Sequence, residues 1–310
     1  MLKLIVMNAR TDMAYEAVLQ NIEDQNIKIK ESIKDEIRRY DVHILNDQGS
    51  KKFNKPVGRY ITIEADDFYQ KDLDFMHKIA SMIAKAIDEC VGAANPKTVL
   101  AVGLGNKHMT ADSLGPMTVD KLIINRHIHS EHNINIGGVL MCALSPGVLG
   151  ITGIETYDII KGVAEKVSPD IIITIDALAS KSTHRLSSAF QVTNTGIVPG
   201  AGVGNHRFKL SEQTLGMPVI SIGVPLVVYA STLSLDIIEQ CFMKTPELAP
   251  DQDQESKLIS NILTSALGEL VVTPKDIDAI VQKCAYVLAV AINQAIHKDL
   301  AFKDIIGLMN

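Results

Sequence analysis

Residues 171–180 read Ile-Ile-Ile-Thr-Ile-Asp-Ala-Leu-Ala-Ser, and the first five form an almost unbroken apolar run that ends before Asp176. Ser168, Pro169 and Asp170 stand directly upstream and stop a preceding helical pattern. A short apolar run of this kind is typical of a strand buried on both faces, as the central strands of parallel sheets are. The stretch therefore predicts a buried strand with Asp176 at its carboxyl end, where open α/β sheets bind their ligands.

Outward from this strand, the sequence repeats a pattern of strand, turn and helix. Val99–Val102 is a β-branched run that leads into the glycine turn 103–106, and a helical stretch follows from about residue 111 to 125. Residues 138–144 and 218–223 indicate further strands. This alternation predicts an α/β fold, with a central, mostly parallel, twisted sheet flanked by helices.

The sequence also predicts helical elements at both ends of the chain. Residues 12–40 show a polar helical pattern, and Thr273 with Pro274 opens a C-terminal helix that has one apolar face. That face consists of Ile277, Ile280, Cys284, Leu288, Ala291 and Ala295. The polar stretch 249–256 indicates a loop, but the elements on either side of it would each lack a cover alone. We therefore expect residues 1–310 to form one elaborated domain.

The composition excludes several classes of protein. The chain has 310 residues, of which 46% are hydrophobic and 21% charged, as in ordinary globular proteins. Its formal net charge is −6 without a long basic run, so we expect no direct contact with nucleic acid. The four cysteines form no Cys-x-x-Cys pair, and the longest apolar stretch, 284–292, is shorter than the ~18 residues of a membrane span. Without a signal-peptide pattern, the sequence predicts a soluble cytoplasmic protein.

Two carboxylates follow strands of the predicted sheet. Asp176 comes directly after the buried strand, and Asp112 lies near the start of the helix that follows the glycine turn. Either residue could instead cap a helix or anchor a loop. If the two strands are near neighbours, the carboxylates converge on one edge, and one of them can stay protonated near neutral pH. Such a pair could supply an acid and a base for hydrolysis or could hold a divalent metal, and the spacing leaves both open.

Other motifs carry weaker signals. The glycines at 103–105 lack the third glycine of a dinucleotide fingerprint, because His108 stands at that position. The glycine-rich loop 195–205 favours either close backbone approach to an extended ligand or a wide turn. The histidines between 127 and 132 indicate a solvated loop more than a metal site. Neither G-x-S-x-G nor H-E-x-x-H occurs, which excludes the usual serine and zinc hydrolase motifs.

The same stretches, taken in chain order, resemble the germination protease family of endospore-forming bacteria. The resemblance covers most of residues 10–230, and the motifs together are more specific than any one of them. They are Arg10-Thr11-Asp12 with Ala14 and Glu16-Ala17, residues 60–64, residues 102–106, Asp112 with Leu114-Gly115-Pro116, Pro146-Gly147-Val148, residues 152–156, residues 175–179, Thr195-Gly196-Ile197 with Pro199-Gly200, and residues 202–205.

The resemblance implies an endopeptidase of neither the serine nor the thiol class, with Asp112 and Asp176 as the catalytic pair. It also implies a fold similar to that of hydrogenase maturation peptidases, whose matching acidic positions bind nickel together with a histidine. No histidine is assigned to that role here, so we expect no cofactor, with a divalent metal on Asp112 and Asp176 as the alternative. Two other functions stay open: a nickel-dependent peptidase of the hydrogenase maturation type and a non-catalytic peptide-binding relative.

The implied substrates are small acid-soluble spore proteins, which the family cuts at a glutamate-containing motif when a spore germinates. A basic side chain beside the site could pair with that glutamate, and the candidates are Lys107, Lys181, His184 and Arg185. Asn106, Gly200 and Gly202 complete the expected substrate-binding set. The resemblance further implies an inactive zymogen with a short N-terminal pro-segment, a homotetramer, and a place in the cytoplasm of the forespore and spore core.

Overall fold

The computed structural model describes residues 11–132, 138–198, 208–245 and 253–309, and within these ranges nine strands form one mixed sheet. The strands are Ile27–Lys34 (β1), Ile37–Ile44 (β2), Gly58–Glu64 (β3), Thr98–Gly103 (β4), Leu140–Leu144 (β5), Ile171–Ser180 (β6), Ala189–Thr193 (β7), Val219–Tyr229 (β8) and Val271–Val272 (β9). The helices are Ala14–Val18 (α1), Asp47–Phe53 (α2), Leu73–Val91 (α3), Leu114–Val119 (α4), Arg126–His132 (α5), Leu149–Thr152 (α6), Thr156–Val167 (α7), Glu212–Leu215 (α8), Ala230–Lys244 (α9), Asp253–Leu267 (α10), Ile277–Ile296 (α11) and Phe302–Leu308 (α12).

The sheet has a parallel half and an antiparallel half. Its strand order is β1-β2-β3-β7-β8-β6-β4-β5, and β9 pairs with the end of β8. β8, β6, β4 and β5 run parallel to one another, whereas β1, β2, β3 and β7 pair antiparallel and β7 joins β8 antiparallel. The α/β prediction is confirmed, and the parallel half coincides with the strands that the sequence separates by helices.

β6 lies within the parallel half and is buried on both faces, as its apolar run predicts. Ile173 packs in the cluster that α3 and α11 cover, and Ile172 packs on the opposite face with residues of α7. The strand does not end at residue 175, because β8 continues to pair with it up to Ser180. β4, in contrast, ends at Gly103 opposite Ile175. Asp176 therefore lies at the first position beyond the end of the neighbouring strand β4, and not at the end of its own strand.

Residues 27–44 form a hairpin, and the prediction of a helix over 12–40 is wrong except at Ala14–Val18. Asp35 and Glu36 join β1 to β2 with φ of 51° and 65°, as two-residue hairpin turns require. β1 is an edge strand with one buried residue, Ile27, so it lacks the apolar alternation that normally distinguishes a strand in a sequence.

Two long helices cover one face of the sheet. α3 begins after Asp72, whose carboxylate accepts a hydrogen bond from the backbone N–H of Phe75 at 2.8 Å, and ends at Gly92, where φ is 67°. α11 packs beside it with the predicted apolar face buried, except at the half-buried Ile277. Among the described helices, α11 alone is long and apolar enough to span a membrane, yet 72% of its apolar window is buried inside the protein. Its apolar surface therefore belongs to the core.

Candidate active site

A cavity of about 710 Å³ opens where β4 ends beside β6 and β8. The cavity is lined by the connection from β4 to α4, by the second half of β6 and by residues of β8. Asp112 and Asp176 both belong to this lining. The structure thus brings together the two carboxylates that the sequence singled out, at the edge of the sheet where α/β folds bind ligands.

The position of Asp176 follows from the register of β6 against β4. Gly103 pairs with Ile175, and the backbone N–H of Leu104 donates to the carbonyl oxygen of Ile175 at 2.8 Å. The next residue, Asp176, therefore has no strand partner on the β4 side, and the residue as a whole is 6% exposed. The backbone N–H of Ala177 donates to Asp176 Oδ1 at 2.9 Å, which fixes one carboxylate oxygen.

Asp112 is held by the tight connection between β4 and α4. It ends a single 3₁₀ turn, and its Oδ2 accepts the backbone N–H of Asn106 at 2.8 Å. Gly105 has a φ of 107°, and a Cβ at that residue would lie 2.0 Å from the carbonyl oxygen of Asp112. Only glycine fits there, because both the backbone angle and the available space exclude a side chain. The glycine turn therefore places Asp112 in the cavity lining.

Gly115, in the first turn of α4, packs closely against the end of β4 and the middle of β6. A Cβ at residue 115 would lie 2.3 Å from the carbonyl oxygen of Leu104 and 2.6 Å from that of Ile175. The backbone of α4 thus packs directly on the end of β4 and on β6. Gly115 is three residues after Asp112, and the Ile175 that it contacts is one residue before Asp176. Two carboxylates fixed around one cavity can act as an acid and a base toward a bound peptide and a water molecule.

The segment that precedes α1 also lies in the cavity. Asp12 donates its backbone N–H to the carbonyl oxygen of Ala179 at 2.9 Å, and its Oδ2 accepts the N–H of Ala179 at 2.8 Å. The side-chain amide of Gln191 donates to the Asp12 carbonyl oxygen at 3.3 Å. Asp12 is therefore attached to β6 and β7, and it contributes a third carboxylate to the lining.

Two lysines of the lining were missed by the sequence reasoning. Lys55 comes from the connection between α2 and β3, and Lys209 precedes α8. Burial lowers the pKa of both side chains, and for Lys55 the nearby charges of Asp12 and Glu16 act in the opposite direction. Lys55 is one of several lysines between 51 and 55, so nothing in the local pattern distinguishes it from a surface residue.

The other predicted substrate-binding residues do not all line the cavity. Asn106 lines the cavity, whereas Lys107 is exposed and lies outside the lining. His184 is also exposed, with Nδ1 4.0 Å from a carboxylate oxygen of Asp66. The backbone N–H of Lys181 donates to Glu16 Oε2 at 2.7 Å, beyond the lining. Gly200 and Gly202 lie outside the described residues.

Arg185 takes part in an ion-pair cluster outside the cavity lining. Its Nε donates to Glu64 Oε2 at 2.9 Å, and its Nη1 lies 3.5 Å from Glu16 Oε1. The guanidinium also lies over the ring of Tyr15, 5.1 Å from the ring centroid. These contacts connect β3 and α1 to the turn that follows β6.

The side chains of the cavity lining bear on the alternative of a bound metal. Within the described ranges, no group of three or more histidine, cysteine or acidic side chains is placed to hold a metal ion. The cavity lining supplies carboxylates but no histidine among these residues, so it does not match a nickel site that combines acidic ligands with a histidine. We therefore derive no catalytic step through a metal.

Comparisons with known proteins identify the family of the chain. The family model described as germination protease matches residues 5–247. The germination protease of Clostridium tetani is 40% identical, and the match covers 98% of this chain and 100% of that protein. The germination protease of Caldanaerobacter subterraneus is 41% identical, and the match covers 99% of this chain and 100% of that protein.

A solved structure of a [NiFe] hydrogenase maturation protease from Thermococcus kodakarensis is similar at 14% identity and a TM-score of 0.29, covering 58% of this chain and 99% of that one. This likeness is too weak to support an argument about the site. The family model, in contrast, matches well over half of the chain, and the relatives match it along nearly all of its length. The chain therefore belongs to the germination protease family and is a peptidase.

Proposed function

We propose that this peptidase begins the degradation of small acid-soluble spore proteins during germination, and that it hydrolyses them at a glutamate-containing motif through Asp112 and Asp176. The observation that carries the proposal is that both aspartates line one cavity and that each accepts a backbone N–H. Family membership supports the spore proteins as substrates.

In the proposed reaction, one carboxylate accepts a proton from a water molecule as the water oxygen attacks the peptide carbonyl carbon. The other aspartate is protonated at the start, and its carboxylic acid donates a proton to the amide nitrogen as the carbon–nitrogen bond breaks. The products are a new carboxyl group and a new amine, and the two aspartates have exchanged protonation states. The backbone N–H groups of Asn106 and Ala177 hold one oxygen of each carboxylate, which fixes the positions of Asp112 and Asp176 in the cavity lining.

The proposal extends to the remaining features that the resemblance implies. We propose that residues 1–310 act as one domain, that the protein is made as a zymogen and assembles as a homotetramer, and that it works in the cytoplasm of the forespore and spore core. Within the cavity, Asn106 is proposed to bind substrate. Lys107, Lys181, His184 and Arg185 lie outside the lining, and they are proposed to meet parts of a substrate that extend beyond it. Gly200 and Gly202 stay predictions for the same role.

The test is cleavage of a purified small acid-soluble spore protein by the parent chain, by Asp112→Asn and by Asp176→Asn. We expect each substitution to lower the rate by roughly 100- to 10,000-fold, since each removes one proton-transfer group. Asp120→Asn is the matched control, because Asp120 is exposed at the end of α4 and lies outside the cavity lining. Circular dichroism verifies that every variant is folded.

A rate that survives at the parent level in either aspartate variant contradicts the proposed pair. A chelator added to each reaction tests the metal alternative separately. Cleavage that is indifferent to the chelator supports the metal-free pair, whereas cleavage that the chelator abolishes and an added divalent ion restores assigns a metal to the site.

A further inference from the structure

We propose that Lys55 binds the acidic side chain of the substrate next to the bond that is cut, and so determines the preference for an acidic peptide. The inference rests on the proposed function, because it assumes that a peptide occupies the cavity. It assigns a role to a residue that the sequence reasoning passed over.

The backbone around Lys55 is fixed on both sides. Asn54 ends α2 with a φ of 51°, and the backbone N–H of Lys55 donates to the carbonyl oxygen of Ser50 at 3.2 Å. On the other side, the buried Tyr60 donates its hydroxyl to the carbonyl oxygen of Pro56 at 2.8 Å. These contacts hold residue 55 against the cavity, and its side chain forms part of the lining.

The ammonium group of Lys55 is only partly satisfied. Among the described residues, its one hydrogen bond runs from Nζ to the carbonyl oxygen of Thr11, at 2.9 Å. An ammonium has three N–H donors, so two are left for a ligand. Because Lys55 is half-buried and its ammonium is a charged donor, those donors favour an acceptor that carries negative charge. A carboxylate of a bound peptide is the ligand that meets both requirements.

The charges of the cavity lining also favour a peptide carboxylate as the ligand of Lys55. The lining carries the carboxylates of Asp12, Asp112 and Asp176 against the two cations Lys55 and Lys209. An acidic side chain that enters this space is repelled by the ionised carboxylates of the lining unless a cation meets it. Lys55 is the better placed cation, because the Thr11 carbonyl fixes its position and because the charges of Asp12 and Glu16 oppose the lowering of its pKa by burial. Within the described residues, no hydrogen bond fixes the Lys209 ammonium, and no carboxylate offsets its burial.

The experiment measures kcat/KM on peptides that span each glutamate of a small acid-soluble spore protein, made in glutamate and in glutamine form. The enzymes are the parent, Lys55→Met, Lys55→Arg and Lys209→Met. We expect the parent to prefer the glutamate peptides. In Lys55→Met, kcat/KM should fall roughly 10- to 100-fold on the glutamate peptide alone, because the variant loses a hydrogen bond to a charged group. Lys55→Arg should keep most of the preference, and Lys209→Met should keep all of it.

Two results overturn the inference. If Lys55→Met slows the glutamate and glutamine peptides equally, Lys55 only anchors the segment at Thr11. If Lys209→Met abolishes the preference while Lys55→Met keeps it, the other lysine of the cavity binds the acid. Circular dichroism and the Lys55→Arg variant separate either result from a failure to fold.

The failure of the proposed function has a different signature, which is a parent chain that cuts none of the spore protein peptides. In that case, fluorescence anisotropy of the same labelled peptides still tests Lys55. Tighter binding of the glutamate form by the parent, lost in Lys55→Met, supports the role of Lys55 as an acid-binding residue. Equal binding of the two forms by the parent, or a preference that Lys55→Met keeps, overturns it.

Discussion

Replacing Gly115 by alanine tests whether close backbone packing positions the two aspartates. The added Cβ would lie 2.3 Å from the Leu104 carbonyl oxygen, 2.5 Å from the Leu104 nitrogen and 2.6 Å from the Ile175 carbonyl oxygen, where ordinary contact begins at 3.4 Å. All three are backbone atoms of β4 or β6 or of the residue next to them, so no flexible side chain can move aside. We expect α4 to move away from the strands by about 1 Å, because an extra carbon atom in a well-packed core forces the backbone to shift.

This displacement has two measurable consequences. The free energy of unfolding should fall by about 1–3 kcal/mol, which is the usual cost of overpacking a core. The rate of cleavage should fall by roughly 100-fold, because an error of about 1 Å in the position of reacting groups has that effect. The loss of activity should thus be measurable in protein that is still fully folded.

Urea denaturation and cleavage of a purified spore protein measure the two effects on the same sample. Gly162→Ala is the matched control, because Gly162 lies on the exposed side of α7 with no atom within 4 Å of the added Cβ. That variant should gain about 0.5–1 kcal/mol in stability from the higher helix propensity of alanine and should keep its activity. Parent-level stability and activity in Gly115→Ala would refute the packing argument.

Two further predictions concern the scaffold. Burial alone would raise the pKa of Asp41, but the hydrogen bond from Arg59 and the charges of Arg59, His43 and Arg39 hold it below its usual value. The resulting stability is present above pH ~4 and is lost as the pH falls through the lowered pKa, so urea denaturation from pH 6 to 2 should show a loss that Asp41→Asn reduces. Asn293→Leu should lower the free energy of unfolding by about 1–3 kcal/mol, because the buried Asn293 Oδ1 accepts the Ile123 N–H at 3.0 Å and leucine leaves that donor unpaired. An unchanged urea midpoint would contradict this role.

The elements that the sequence predicted well are those whose pattern reflects burial. β6 and α11 are apolar enough to show their environment directly, and both are confirmed. β1 was missed because an edge strand with seven residues that are exposed or only partly buried has no such signature. The length of β6 was also missed, since the pairing with β8 that extends it to Ser180 joins residues about 48 positions apart along the chain.

The candidate site was likewise predicted in part by the sequence. The sequence by itself determined the α/β class and nominated Asp112 and Asp176, because strand ends and glycine turns are local features with local patterns. Only the tertiary structure decided that Lys55 enters the cavity whereas Arg185 pairs with Glu16 and Glu64 outside it. The physical reason is that the environment of a charged side chain depends on residues far away in the chain, such as Thr11 for Lys55, and no local pattern contains those contacts.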